Sequence, residues 1–326
     1  MKAAFLGNSE KNIQSVYAEE SVRALSEMFA FYKGVYTKET AQNISDVECL
    51  FSTWGMPVFT EEEIKAFFPR LKVLFYGAGS VQAFARPFLN CGISVVSAWR
   101  ANSVPVQEYT VAQILLANKG FFGTLNLYKK TSSREAVSPF WGNYDAKVGL
   151  LGLGTIGAGV AERLKPDHLE VLAYDPFCSA EKAAELGVHL TPMETIFGEC
   201  HVISNHMANL PETVNILDYS LFSRMQKNAV FLNTGRGAQV IEEDLVRALL
   251  EEPSRVAVLD VTRDEPPKKD SPLYKMENVF LTPHIAGSLG NECRRMGAYM
   301  VEEARLFLEG KPLRYKVTAE MLSTMA

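Results

Sequence analysis

The chain reads as an α/β protein with two doubly wound parallel-sheet domains. Three observations predict this. Short apolar runs alternate with helical patterns along the chain, as in strand–helix–strand units. One full set of such alternations already fills the first hundred residues. A second set begins late, around the glycine-rich turn Gly152-Leu153-Gly154-Thr155-Ile156-Gly157, so another domain must be built mainly from what precedes it.

Lys2 to Leu6 predicts a strand, and Val16 to Phe31 has the apolar spacing of an amphipathic helix. Glu48 to Phe51 predicts a strand. Thr60 then precedes Glu61-Glu62-Glu63, a cap followed by acids suited to a helix N-terminus. Lys72 to Tyr76 predicts a strand, Val81 to Leu89 a helix, and Ile93 to Ser97 a strand. A long helix is expected from just after Pro105 to about Tyr128, with Val111, Ile114, Leu115 and Leu116 suited to burial. Lys130 to Asp145 is polar, contains Pro139 and Gly142, and reads as a loop. Val148 to Leu151, the glycine turn, a helix over Ala158 to Leu164 and the run Val171 to Tyr174 follow as strand, turn, helix and strand. Further strands are expected at Val202 to Ser204, Ala229 to Leu232, Val256 to Leu259 and Val279 to Leu281, with a helix over Glu242 to Glu251. Ser288 to Leu308 reads as a closing helix.

Composition narrows the function. The 326 residues suffice for two domains, and 47% apolar with 22% charged residues is a globular balance. A net charge of −5 makes no electrostatic case for nucleic acid or an anionic membrane as partner. No apolar run approaches the ~20 residues of a membrane span, and the N-terminus lacks a signal-peptide layout. Cys49, Cys91, Cys178, Cys200 and Cys293 are scattered and odd in number. They predict free thiols in a reducing compartment, the cytoplasm, rather than a disulfide frame or a zinc site.

The glycine turn carries the first chemical signal. Gly152, Gly154 and Gly157 allow a tight turn and a close approach of backbone to a pyrophosphate. The helix that opens at Thr155 and Ile156 offers free N–H groups and a positive dipole end to that anion. Asp175 stands about 20 residues on, where a carboxylate hydrogen-bonds a ribose 2′-hydroxyl and repels a 2′-phosphate. The expected cofactor is therefore NAD. The structural alternative is an ordinary strand–helix turn with no ligand.

Three further segments follow expected strands, where open α/β sheets bind ligands. They are Asn233-Thr234-Gly235-Arg236-Gly237, Asp260-Val261-Thr262-Arg263-Asp264-Glu265-Pro266, and Thr282-Pro283-His284-Ile285-Ala286-Gly287-Ser288. Together they supply one guanidinium, one carboxylate and one imidazole. That set suits reversible reduction of a 2-oxo acid. An imidazole exchanges a proton with the carbonyl oxygen at neutral pH, and an arginine grips a carboxylate bidentately. No metal is required. Taken singly, each has a structural alternative as a solvated loop residue.

With these motifs in view, the chain resembles the D-isomer-specific 2-hydroxyacid dehydrogenase family from about Leu71 to Val317. The match is carried by Gly152 to Gly157 with Asp175, Pro211-Glu212-Thr213, Asn233 to Gly237, Asp260-Val261 with Glu265-Pro266, and Thr282 to Gly287. The resemblance implies a Rossmann NAD-binding domain, residues 104–288, and a smaller flavodoxin-like substrate domain, residues 1–103 and 289–326. It implies that Arg236 binds the substrate carboxylate and carbonyl, that His284 is the acid/base, and that Glu265 pairs with it. Gly152, Gly154, Thr155, Ile156, Gly157, Asp175, His206, Thr234, Asp260 and Thr110 become cofactor-binding candidates. The loop after Gly77, through Ala78, Gly79 and Ser80, becomes a source of backbone N–H groups for the substrate carboxylate. A small 2-hydroxy or 2-oxo acid bound in a closing cleft between domains, and a homodimer, are the implied substrate and assembly.

The chain departs from the family pattern in places. Ser80-Val81-Gln82-Ala83-Phe84 stands where many members carry an acid and Asn. In the loop that resembles His-x-Pro-Leu-Thr, Ala208 replaces the proline and Leu210 the threonine. His206 lines the cofactor or is a plain loop residue, and Thr110 faces nicotinamide or caps a helix. Arg100 reads as a structural ion-pair residue, with a second substrate anion as the alternative. His168, His189 and His201 read as structural. No appended regulatory domain is expected after the closing helix. Glycerate, glyoxylate, lactate and 3-phosphoglycerate, or their oxo forms, are the candidate substrates. Glu265 disfavours a formate dehydrogenase. The rival reading is a nucleotide-sensing binding protein of the corepressor type, without turnover.

Overall fold

Short apolar runs become strands because helices cover both faces of each sheet. The computed structural model describes residues 1–131 and 140–323. It divides into two units, Met1–Ser103 with the segment from Ser288 onward, and Val104–Gly287.

The first unit contains β1 (Lys2–Leu6), α1 (Glu10–Val16), α2 (Glu19–Met28), β2 (Ala30–Tyr36), β3 (Cys49–Ser52), α3 (Glu61–Phe67), β4 (Val73–Tyr76), α4 (Ala85–Asn90) and β5 (Ser94–Ser97). The five strands lie in the order β5-β4-β3-β1-β2, all parallel. This is the doubly wound order of flavodoxin-like sheets. β3 and β4 are buried at all four positions, and Phe51 stacks on Phe75 across them at 4.9 Å. Thr60 caps α3 as expected. Its hydroxyl accepts the Glu63 N–H at 3.2 Å and its own N–H reaches the Glu63 carboxylate at 2.8 Å.

The second unit takes up α5 (Trp99–Asn118), whose residues divide between the two units at Ser103 and Val104. It continues with α6 (Phe121–Thr131), β6 (Lys147–Leu151), α7 (Thr155–Leu164), β7 (Glu170–Tyr174), α8 (Ala180–Leu186), β8 (His189–Leu190), α9 (Met193–Glu199), β9 (Val202–Asn205), α10 (Tyr219–Phe222), β10 (Val230–Asn233), α11 (Glu242–Glu251), β11 (Val256–Leu259) and β12 (Val279–Leu281). The sheet order is β12-β11-β10-β9-β6-β7-β8, parallel throughout. The order reverses between β6 and β9, so a crevice is expected beyond their carboxyl ends. The chain then returns to the first unit with α12 (Glu292–Leu308) and β13 (Lys316–Val317), which pairs antiparallel with β5.

Several elements differ from the sequence expectation. Val16 to Phe31 is not one helix. Tyr17 ends α1, Phe29 leaves α2 in extended conformation, and the β-forming run Phe31, Tyr32, Val35, Tyr36 adds β2 beside β1. The long connector starts at Trp99, six residues ahead of Pro105, which lies inside α5. It breaks at Gly120, whose φ of 72° suits glycine, and resumes as α6. Lys130 and Thr131 are therefore helical and not loop. Of the rest of that expected loop, residues 132–139, Pro139 among them, lie outside the described residues. The helix expected over Val81 to Leu89 starts at Ala85, and the closing helix starts at Glu292 rather than Ser288.

Candidate active site

The turn between β6 and α7 has the geometry a dinucleotide requires. Gly152 has φ 90°, and a Cβ there would lie 2.9 Å from the His206 carbonyl oxygen. At Gly157 a Cβ would lie 1.9 Å from the Gly152 carbonyl oxygen, so helix and turn pack without room for a side chain. At Gly154 a Cβ would meet nothing within 4 Å. The open side of the turn is therefore at Gly154, in front of the first N–H groups of α7, at Thr155 and Ile156. Asp175 follows β7, and its carboxylate is oriented by the Leu153 N–H at 2.6 Å and the Phe177 N–H at 2.8 Å. Steric closure at two glycines, an opening at the third and a fixed acid at the neighbouring strand fit NAD.

Beyond β11 and β12 the chain builds a second arrangement. His284 Nδ1 lies 2.7 Å from Glu265 Oε2. The His284 backbone is left-handed, φ 54°, and its N–H donates to the Asp260 carbonyl at 2.9 Å. The Asp260 side chain, 3% exposed, accepts the Thr282 hydroxyl at 2.6 Å and the Ile285 and Ala286 N–H groups at 2.8 and 2.9 Å. Tyr109 of α5 adds its hydroxyl to Thr282 at 3.0 Å. Asp260, a cofactor candidate by sequence, thus spends three acceptor positions holding the His284 loop.

Arg236 follows β10 and is half-buried, with one guanidinium nitrogen on the Gly235 carbonyl at 2.8 Å. Burial lowers its pKa, and the negative charge of Glu265 acts the other way. His206 is buried between the hydroxyls of Ser204, 2.9 Å from Nε2, and Thr234, 3.3 Å from Nδ1. Burial pushes its pKa down to about 3, so the ring is neutral. Thr110 reaches Thr234 at 3.4 Å. His206, Thr234 and Thr110 therefore form one chain beside the glycine turn, and Thr110 is buried within it rather than capping α5.

Ala78, Gly79 and Ser80 belong to the first unit. The Gly77 carbonyl accepts the Thr53 hydroxyl at 2.9 Å, and the Ala78 and Gly79 carbonyls lie 2.9 and 2.6 Å from the Ser97 hydroxyl. These ties fix which way the loop's peptide groups face. Arg100 stacks its guanidinium on Trp99 at 4.9 Å, a cation–π contact rather than the ion pair expected. His168 occupies a left-handed turn, and His201 stacks on Trp141 at 3.8 Å while burial lowers its pKa to about 4. Among the described residues no group of three or more His, Cys, Asp or Glu could hold a metal ion, and no helix is long and apolar enough to cross a membrane.

Residues 111–286 match the model of the D-isomer specific 2-hydroxyacid dehydrogenase family, NAD binding domain. The chain belongs to this family. Its cofactor is NAD. Among curated relatives, the D-3-phosphoglycerate dehydrogenase of Archaeoglobus fulgidus is 32% identical over 69% of this chain and 43% of its own length. The enzyme of that name from Methanocaldococcus jannaschii is 30% identical over 90% of this chain and 56% of its own. A glyoxylate reductase of Korarchaeum cryptofilum is 29% identical over 84% of this chain and 83% of its own. The chain spans about half the length of the phosphoglycerate dehydrogenases it matches. The D-isomer specific 2-hydroxyacid dehydrogenase of Lactobacillus delbrueckii ssp. bulgaricus shares the fold, with TM-score 0.77 at 20% identity over 98% of this chain and 100% of that one.

Sequence reading passed over residues that hold the loops of this candidate site. Tyr109, one residue before the candidate Thr110, is one of them. Asn205 and Gln239 were passed over too, because nothing in the sequence marks one as the other's partner.

Proposed function

We propose that this dehydrogenase interconverts a small 2-oxo acid and its D-2-hydroxy acid. The carrying observation is the 2.7 Å pair of His284 and Glu265, on the same sheet edge as Arg236. When bound, reduced NAD supplies a hydride to the carbonyl carbon. Arg236 holds the substrate carboxylate and draws electron density from the carbonyl oxygen. Its guanidinium stays charged, because burial lowers a pKa that starts far above neutrality. Glu265 accepts from Nδ1–H of His284, which fixes the ring and leaves Nε2 to give the carbonyl oxygen its proton. In the oxidative direction Nε2 takes that proton back. His206 cannot share this work, since it stays neutral down to about pH 3. Within the first unit, Ala78, Gly79 and Ser80 offer backbone N–H groups suited to a carboxylate, a reading supported by the Ser97 hydroxyl that holds the Ala78 and Gly79 carbonyls aside.

All five cysteines are free, in keeping with a reducing compartment such as the cytoplasm. Half-exposed Leu116 and Phe121 on α5 and α6 support a homodimer, which light scattering would test.

The decisive experiment follows nicotinamide absorbance with glyoxylate, hydroxypyruvate, pyruvate and phosphohydroxypyruvate. Oxidation of NADH, and much less of NADPH, by at least one of them is expected. Tight NADH binding with no turnover on any 2-oxo acid would overturn the reading in favour of a nucleotide-sensing binding protein.

A further inference from the structure

Three carboxamides lie buried where the second sheet meets its ligand side, and the reaction uses none of them directly. Asn205 ends β9, Asn233 ends β10, and Gln239 follows the Arg236 turn; they are 0%, 1% and 0% exposed. They form one continuous chain. Gln239 Nε2 donates to the Met207 and Ala208 carbonyls at 3.0 and 2.8 Å. Its Oε1 accepts from Asn205 Nδ2 at 2.6 Å, and the same nitrogen donates to Asn233 Oδ1 at 3.0 Å. Asn205 Oδ1 accepts the Met207 N–H at 3.3 Å. Asn233 Oδ1 also accepts the Gly235 N–H at 3.1 Å, and Asn233 Nδ2 donates to the Arg236 carbonyl at 3.3 Å.

Buried amides are unfavourable unless paired, and a fully paired network fixes one arrangement of the groups it joins. Here every amide nitrogen and oxygen has a partner. The groups joined are the backbone of the loop after β9, which passes against the glycine turn, and the backbone of the turn that carries Arg236. That loop also has Ala208 where the family pattern carries proline, so its own backbone is less restricted.

We infer that Gln239 is a positioning residue: through Asn205 and Asn233 it locks the Met207–Thr213 loop to the Arg236 turn, supplying the rigidity that Ala208 does not. The inference rests on the reading of Arg236 as the carboxylate-binding residue. Its structural half stands without it.

Gln239→Met keeps the length of the side chain and removes both hydrogen-bonding ends. Amide hydrogen exchange should rise about tenfold both in Met207–Thr213 and in Gly235–Gly237, as expected for losing about one buried hydrogen bond's worth of restraint. KM for the 2-oxo acid should rise by about the same factor, with kcat changed less than about twofold. Asn205→Leu combined with Gln239→Met removes the bond between the two amides from both sides, so its melting loss should be smaller than the sum of the two single-variant losses, although the Met207 N–H and carbonyl still lose their partners. It should nevertheless keep the fast exchange and the raised KM, and adding Ala208→Pro should return both toward wild type. A purely structural network predicts otherwise: the double variant would recover KM in proportion to the stability it regains. Recovery of that kind, exchange that rises in the loop but not in Gly235–Gly237, or no rescue by Ala208→Pro would each overturn the inference. If the wild type turns over no 2-oxo acid, the exchange and rescue arms still decide it, so the two failures are separable.

Discussion

Thr282 donates its hydroxyl to the Asp260 carboxylate at 2.6 Å, which ties the start of the His284 loop to the adjacent strand. The same carboxylate takes two N–H groups from beyond His284, so the loop is held on both sides of the imidazole. Asp260→Ala leaves the Ile285 and Ala286 donors without their partner. It should destabilise the protein by about 3 kcal/mol in a urea melt and lower kcat. Tyr109→Phe removes only the outermost hydroxyl and should cost less than about 1 kcal/mol. A melt of Asp260→Ala that superimposes on wild type would show that the loop is held by other means.

His284→Ala should abolish turnover and leave NADH affinity nearly unchanged by fluorescence titration. The hydrogen bonds of His284 among the described residues run to Glu265, Asp260 and Thr282, none of which belongs to the glycine turn. Turnover persisting at more than about one hundredth of wild type would assign the proton transfer elsewhere.

Asp175→Ser should narrow the preference for NADH over NADPH by about tenfold or more, because it removes a negative charge held beside the glycine turn, where a 2′-phosphate would be repelled. The two backbone donors that orient Asp175 mean the charge cannot swing aside to admit a phosphate. A wild-type preference for NADPH would contradict this reading at once.

The pH dependence of stability has a sign that His206 sets. In the folded chain its pKa is pushed down to about 3, against 6.5 when exposed. Below pH 6.5 the unfolded chain binds a proton that the folded one refuses. Stability is therefore lost as pH falls from 6.5 towards 3, at up to about 1.4 kcal/mol per pH unit. His206→Gln should flatten the melting temperature between pH 6 and about 4. Some slope should remain, because burial lowers His201 in the same direction, to about 4. Identical slopes in variant and wild type would refute the assignment.

Where strands are apolar runs between turn residues, the sequence announces them. β1, β11 and β12 fall on the expected residues, and so does α11. β2 was hidden because Ala30 to Tyr36 mixes Lys33 and Gly34 into an edge strand, which needs little apolar character. The break at Gly120 was hidden because helical spacing resumes at once in α6. In the site, the charged members were legible from their positions after strands. The amides were not, because a buried Asn or Gln gives no signal until its partners are known. Asn205 and Gln239 lie far apart in sequence and meet only when β9 and β10 pair.

The glycine turn separates two questions that mutagenesis usually confounds. Any side chain at Gly157 collides with the protein's own carbonyl, so a variant there reports on folding whether or not nucleotide is present. A methyl group at Gly154 would meet nothing of the protein within 4 Å. An alanine scan of this turn is thus a built-in control: a loss of affinity at position 154 without a change in melting measures the ligand's own footprint.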